Sequence, residues 1–122
     1  MTSRLQSSAG ASARALALLC LLGCESPWDS ATCADEGTDL TYESFGRGFI
    51  GAYCQSCHAS NAKDRRGAPT GISFDTHEDV VEWIDRIYDR SAGENVSMPP
   101  GPDDPPEAER QKLEEWLACG AP

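Results

Sequence analysis

The sequence is short of positive charge. Ten lysines and arginines stand against twenty aspartates and glutamates, a net charge of −10 over 122 residues. Contacts to a phosphate backbone need cations, so nucleic-acid binding is excluded as a function class. Long apolar runs are missing too. The run "ALALLCLLGC" at 15–24 is far shorter than the roughly 20 residues that cross a bilayer as a helix. Aromatic residues make up only 7% of the chain, and a single small domain with so little apolar bulk is marginal on burial alone. No internal repeat is present, and no segment reads convincingly as a strand, which leaves helices and irregular loops.

What the N-terminus does have is export character. Arg4 and Arg14 are the only charges before residue 25, and the apolar run follows them. Residues 1–23 read as a signal peptide and are set aside from the fold. The "LLGC" that ends this segment resembles the lipobox of bacterial lipoproteins. That resemblance implies a lipid on Cys24 and an exported protein anchored at a membrane surface, on its periplasmic or outer-membrane face. Two or more acyl chains suffice for stable anchoring. Glu25 follows the cysteine, so no aspartate signals inner-membrane retention. Polar, turn-rich residues 24–40 read as a tether, becoming ordered near Cys33, and 41–122 as the folded domain.

Within that domain Thr41 is a good N-cap, and Tyr42, Phe45, Phe49 and Tyr53 recur at the spacings of one helix face. Gly46 and Gly48 weaken this helix, a feature that the close approach of a second helix explains. Residues 59–74 have no periodicity and read as a loop. Asp75 and Glu78 suit a capping box for a second helix with Val80, Ile84, Ile87 and Tyr88 on one face, stopped by Gly93. Five prolines in "NVSMPPGPDDPP" at 95–106 forbid a continuous helix there. A last helix is expected near Asp104, with Pro105 at its first position, Glu107 completing a cap, and Leu113, Trp116 and Leu117 on its apolar face up to Gly120. The expected class is all-α, about three helices with long loops.

The chemistry is concentrated in "YCQSCHAS", residues 53–60. Two thiols and an imidazole this close together fit a dithiol redox pair, a zinc site or covalent haem attachment. Zinc needs a fourth ligand beyond Cys54, Cys57 and His58, such as His77, and adjacent Cys57 and His58 do not both face one tetrahedral ion easily. A dithiol oxidoreductase needs its first cysteine at a helix N-terminus, which lowers the thiol pKa. Here the pair follows a helix. Cys-x-x-Cys-His has the mechanics of haem attachment, with two thioethers and a histidine fixed beside the second.

With these elements in order, residues 41–119 resemble the small class I c-type cytochromes. An aromatic helix precedes "CQSCH", Pro69 follows in a loop, "SMPP" lies 40 residues beyond His58, and an amphipathic helix closes the chain. The resemblance implies a cytochrome c-like fold wrapped round one haem c, with Cys54 and Cys57 as attachment points. It implies His58 and Met98 as iron ligands, and the Pro69 carbonyl as acceptor of the second N–H of His58. His77 is the rival to Met98. It also implies a single-electron carrier with both axial positions filled, not an enzyme, exchanging electrons with redox protein partners. The acidic balance points to basic ones, with the cations of "KDRR" (63–66) as a local exception. Two other functions stay open: a haem-based sensor or structural lipoprotein in which a ligand displaces Met98, and a dithiol oxidoreductase using Cys54 and Cys57. Cys33 and Cys119 fall outside the family pattern. In an oxidising compartment they are expected to form a disulfide clasp, the alternative being two free thiols.

Overall fold

The computed structural model describes Gly23 and residues 25–122; the other N-terminal residues, including Cys24 with its expected lipid, lie outside the described residues. Thr41 caps the first helix as its sequence predicts. Its hydroxyl accepts the Ser44 N–H at 3.1 Å, and the Ser44 hydroxyl accepts the Thr41 N–H at 2.9 Å. A π-helical turn, Tyr42–Gly46, leads into α1, Arg47–Tyr53, and a single further turn, α2, spans Gln55–His58. Two short helices follow, α3 at His77–Glu82 and α4 at Ile84–Ser91, and α5 runs over Glu107–Ala118. Among the described residues there is no strand, so the architecture is all-α.

Two helix starts differ from the sequence expectation. The capping box of α3 is Thr76 with Asp79, one residue later than Asp75 with Glu78. Asp75 is drawn away because its carboxylate accepts the Ser60 N–H, with both oxygens at 3.1 Å. Helix α5 begins at Glu107 after Pro106, two residues beyond Pro105, and has no side-chain cap. Asp104 instead faces Arg110. The expected second helix also breaks, at Trp83 (φ −105°, ψ 19°), into α3 and α4.

The core forms where α5 meets the first helix. Trp116, Leu113 and Leu117 of α5 are fully buried, as are Ile50 and Val80. Each such side chain contributes about 1.5–3 kcal/mol relative to exposure. Gly46 explains the crossing: a Cβ there would lie 2.4 Å from two atoms of the Trp116 ring, so only glycine fits. Gly48 has no such neighbour and faces open space, so the close approach rests on Gly46 alone. At the far end Gly120 takes φ 84°, which lets the Ala121 N–H reach the Trp116 carbonyl at 2.9 Å.

The segment expected as a tether packs on the helical domain from Ser26 onward. A 3₁₀ turn, Pro27–Ser30, sits on α4: the Trp28 N–H donates to Asp89 at 2.9 Å, the Ser26 hydroxyl bonds Asp89, and the Trp28 ring meets Tyr88 edge-on at 5.5 Å. Cys33 and Cys119 are joined by a disulfide with Cα atoms 4.6 Å apart. Among the described residues no helix is long and apolar enough to cross a membrane.

Tyr88 carries a testable pH dependence. Its hydroxyl donates to Glu114 Oε1 at 3.0 Å. Burial, then the Glu114 hydrogen bond and the Glu114 and Asp89 charges, push its pKa up from 10.0 to about 12. The folded protein therefore holds this proton more tightly than the unfolded chain. The resulting stability is complete below about pH 10 and is lost as pH rises through about 12. Urea midpoints of wild type and Tyr88→Phe measured across this range should show the wild type declining more steeply. Equal slopes would mean that the hydroxyl contributes nothing there.

Candidate functional site

Helix α1 ends at Cys54, whose N–H closes the last turn on Ile50 at 3.0 Å. The Cys54 carbonyl then accepts from both Cys57 (3.2 Å) and His58 (2.9 Å), so the turn that follows holds the two thiols and the imidazole together. Its position is fixed from outside by residue 74: Gln55 Nε2 donates to the Phe74 carbonyl at 2.9 Å, and the Phe74 N–H donates to the His58 carbonyl at 2.8 Å. The His58 and Phe74 rings stack at 4.7 Å.

The His58 ring is oriented through Nδ1, which lies 3.1 Å from the Ile72 carbonyl. A carbonyl only accepts, so Nδ1 carries the proton and the lone pair belongs to Nε2. Such a bond fixes a ligand ring and strengthens it as a donor. The partner differs from the one the family resemblance implies. The Pro69 carbonyl accepts the Ile72 N–H at 3.0 Å and Arg65 Nη2 at 2.8 Å instead. The turn that this i→i+3 bond closes brings residue 72, not 69, to the ring.

Arg65 organises that loop. Its guanidinium donates to four carbonyls: Ala59 (2.6 Å), Ala68 (3.2 Å), Pro69 (2.8 Å) and Ile72 (2.8 Å). Arg65 is therefore spent on the loop's own backbone, which removes half the arginine pair of "KDRR" as a docking charge.

A cleft of about 450 Å³ opens beside this turn, within the usual 300–1,000 Å³ range of ligand sites. Cys54, Cys57, His58, Pro69 and Ile72 line it, and so does Met98 with Pro99 and Pro100. Met98 comes from a loop 40 residues distant in sequence. Its backbone is pinned on both sides, the N–H donating to the Arg90 carbonyl and the carbonyl accepting from Arg110 Nη1, each at 2.9 Å. The side chain remains 36% exposed. A larger, more open groove of about 1,090 Å³ runs past Glu94, Glu107 and Glu114, and neither cysteine nor His58 reaches it.

The remaining candidates lie elsewhere. His77 Nε2 is 2.7 Å from the Ala121 carbonyl and its ring stacks on Tyr42 at 4.5 Å, away from the cleft. It is thereby removed both as a rival to Met98 and as a fourth zinc ligand. Cys54 and Cys57 are not bonded to each other. Burial pushes the Cys54 thiol up to about 12, against the opposing pull of the Arg110 charge. A thiol held that firmly protonated is a poor thiolate for disulfide exchange.

The cleft is lined by residues that could hold a metal-bearing cofactor. Its two cysteines are free, its imidazole is oriented through the other nitrogen, and Met98 lines the same space.

Sequence reasoning missed Ile72 and Arg110, and read Arg65 as a docking charge and not as the holder of its loop. Only Arg110 left a signal: it stands three residues before Leu113 and seven before Leu117, a charge on an apolar stripe. No known protein family, curated protein or solved structure matches the chain.

Proposed function

We propose that the chain is a c-type cytochrome, a carrier of single electrons with one haem c, built on a cytochrome c-like arrangement of its helices. The observation that carries this reading is the convergence of Cys54, Cys57, His58 and Met98 on one cleft. When bound, the haem supplies the redox change, its iron alternating between the ferric and ferrous states.

The chain's own residues supply attachment, ligation and exclusion of water. The free Cys54 and Cys57 S–H groups would add across the two vinyl groups, each sulfur forming a thioether and each hydrogen passing to the neighbouring carbon. His58 presents Nε2 because Ile72 holds Nδ1. Met98 offers a thioether, which favours the reduced iron and raises the potential. His58 and Met98 together would hold the iron and leave it no open site for a substrate, so the function proposed is transfer and not catalysis. Lipid on Cys24 would hold the carrier on a membrane surface outside the cytoplasm. The acidic excess favours a basic redox partner at long range, although exposed Arg66, Arg86 and Arg90 line the cleft itself.

Visible spectra of the purified protein, oxidised and reduced, together with haem staining after denaturing electrophoresis, test the reading. Expected are c-type bands and haem that stays with the polypeptide. Haem that acidified organic solvent extracts completely would refute covalent attachment. Met98→Ala should keep its haem, lose the sulfur–iron charge-transfer band, and fall in potential. An unchanged spectrum would assign the sixth position to another group.

A further inference from the structure

We infer that Arg110 is the positioning residue of the sixth ligand: one buried guanidinium on α5 holds the loop that presents Met98 to the cleft. The inference rests on the cytochrome reading and adds to it what keeps Met98 in place.

Arg110 is only 3% exposed. A buried guanidinium is tolerated only when its donors are satisfied. The Nη1 donors of Arg110 are satisfied by the Met98 loop. Nη1 lies 2.8 Å from the Ser91 carbonyl, 3.1 Å from that of Asn95 and 2.9 Å from that of Met98. Nη1 has two hydrogens and three acceptors, so one hydrogen is shared and the three carbonyls must converge on a single point. Nη2 faces Asp104 at 3.7 Å, and the Arg110 carbonyl accepts the Gly93 N–H at 2.9 Å. Residues 91–104 thus wrap around one side chain.

The hold matters because methionine is a weak, flexible ligand. Its side chain has three rotatable bonds, and bonding it to the iron of His58 closes a loop of about 40 residues, an entropic penalty for a chain that is free. Pinning the Met98 carbonyl through Arg110 and its N–H through Arg90 removes that freedom beforehand. The helix that carries Arg110 is anchored: three residues on, Leu113 is fully buried, as are Trp116 and Leu117, and Cys119 is tied to Cys33. The docking of α5 therefore sets where Met98 stands. A guanidinium that keeps the thioether in place keeps the sixth position closed to small ligands, which separates a carrier from a ligand-binding sensor.

The test uses the haem-loaded full chain as wild type, Met98→Ala, Arg110→Gln, Arg110→Lys and Asp104→Asn. Imidazole binding to the ferric iron is titrated and the sulfur–iron charge-transfer band recorded. Loss of a charge-assisted hydrogen bond to the loop should raise imidazole affinity about tenfold to a hundredfold in Arg110→Gln and weaken the band. Arg110→Lys, which keeps the charge but not the planar fork, should fall between Arg110→Gln and wild type. Asp104→Asn, altered only at an exposed partner, should match wild type. A folded Arg110→Gln with the wild-type band and wild-type imidazole affinity overturns the inference. If Arg110→Gln does not fold, amide exchange over 92–98 in Arg110→Lys decides: faster exchange there than in wild type, with α1 unchanged, supports the hold, and equal exchange overturns it. A wild type that lacks the band, with Met98→Ala binding imidazole no better, refutes the His58–Met98 ligation. The hold on the loop is then judged by the same exchange measurement alone.

Discussion

A chain carrying Cys54→Ser and Cys57→Ser together is expected to lose all haem that survives denaturing electrophoresis. The effect is all-or-none because a serine hydroxyl does not form the thioether, and the two thiols of the cleft are the only unpaired cysteines among the described residues. Each single variant should retain haem through its remaining bond. The helical scaffold should survive the double change. Neither sulfur is covalently bonded within the protein, and the turn that carries them is held by backbone bonds to Cys54 and by Gln55 and His58 on Phe74. Far-UV helicity should therefore persist while the haem stain disappears. Serine at 54 does place a hydroxyl where burial drives the thiol pKa to about 12, so some loss of stability accompanies the loss of haem. Denaturation-resistant haem in the double variant would place the attachment elsewhere and refute the role given to this motif.

How much of this was readable beforehand depends on how local each determinant is. Thr41, Gly46 and Gly120 obey rules that act within one helix turn or at one crossing, and the structure bears them out. The capping box of α3 slipped by one residue because the competing partner of Asp75, the Ser60 amide, is 15 residues away. The shift from Pro69 to Ile72 has the same origin. Which carbonyl meets His58 depends on how residues 59–72 fold around Arg65, a side chain that reads from sequence as one more cation in "KDRR". The two loops of the cleft turn out to be built alike. Each is irregular, each carries one proposed iron ligand or its backbone partner, and each is gathered by one arginine through its carbonyls, Arg65 on the His58 side and Arg110 on the Met98 side. A loop without regular hydrogen bonds must satisfy its backbone some other way, and the planar fork of a guanidinium can serve several carbonyls at once. Composition and periodicity do not disclose such a device, because the acceptors are backbone atoms that every residue has.

Removing the Cys33–Cys119 bond is expected to destabilise the haem-loaded protein by about 4.5 kcal/mol, the loss of chain entropy for a closed loop of this length. The bond spans 86 residues and encloses the thiols, both proposed ligands and all five helices. Against a total stability of about 5–15 kcal/mol for a small domain this is a large share. At a urea m-value of about 2 kcal/mol per molar, the midpoint of Cys33→Ser with Cys119→Ser should fall by about 2 M. The thioethers do not compensate, since they join the haem to positions only three residues apart and close no long loop. The proposed iron would close one, between His58 and Met98, inside the disulfide loop. The two closures constrain overlapping stretches of the same unfolded chain, so their contributions should not add. Met98→Ala should therefore destabilise the serine double variant more than it destabilises the disulfide-bonded protein, because without the disulfide the iron-mediated loop is the main restraint on the unfolded chain. Additive effects in that double-mutant cycle would mean that the His58–iron–Met98 link is already broken in the unfolded state, where it then adds no restraint to that of the disulfide.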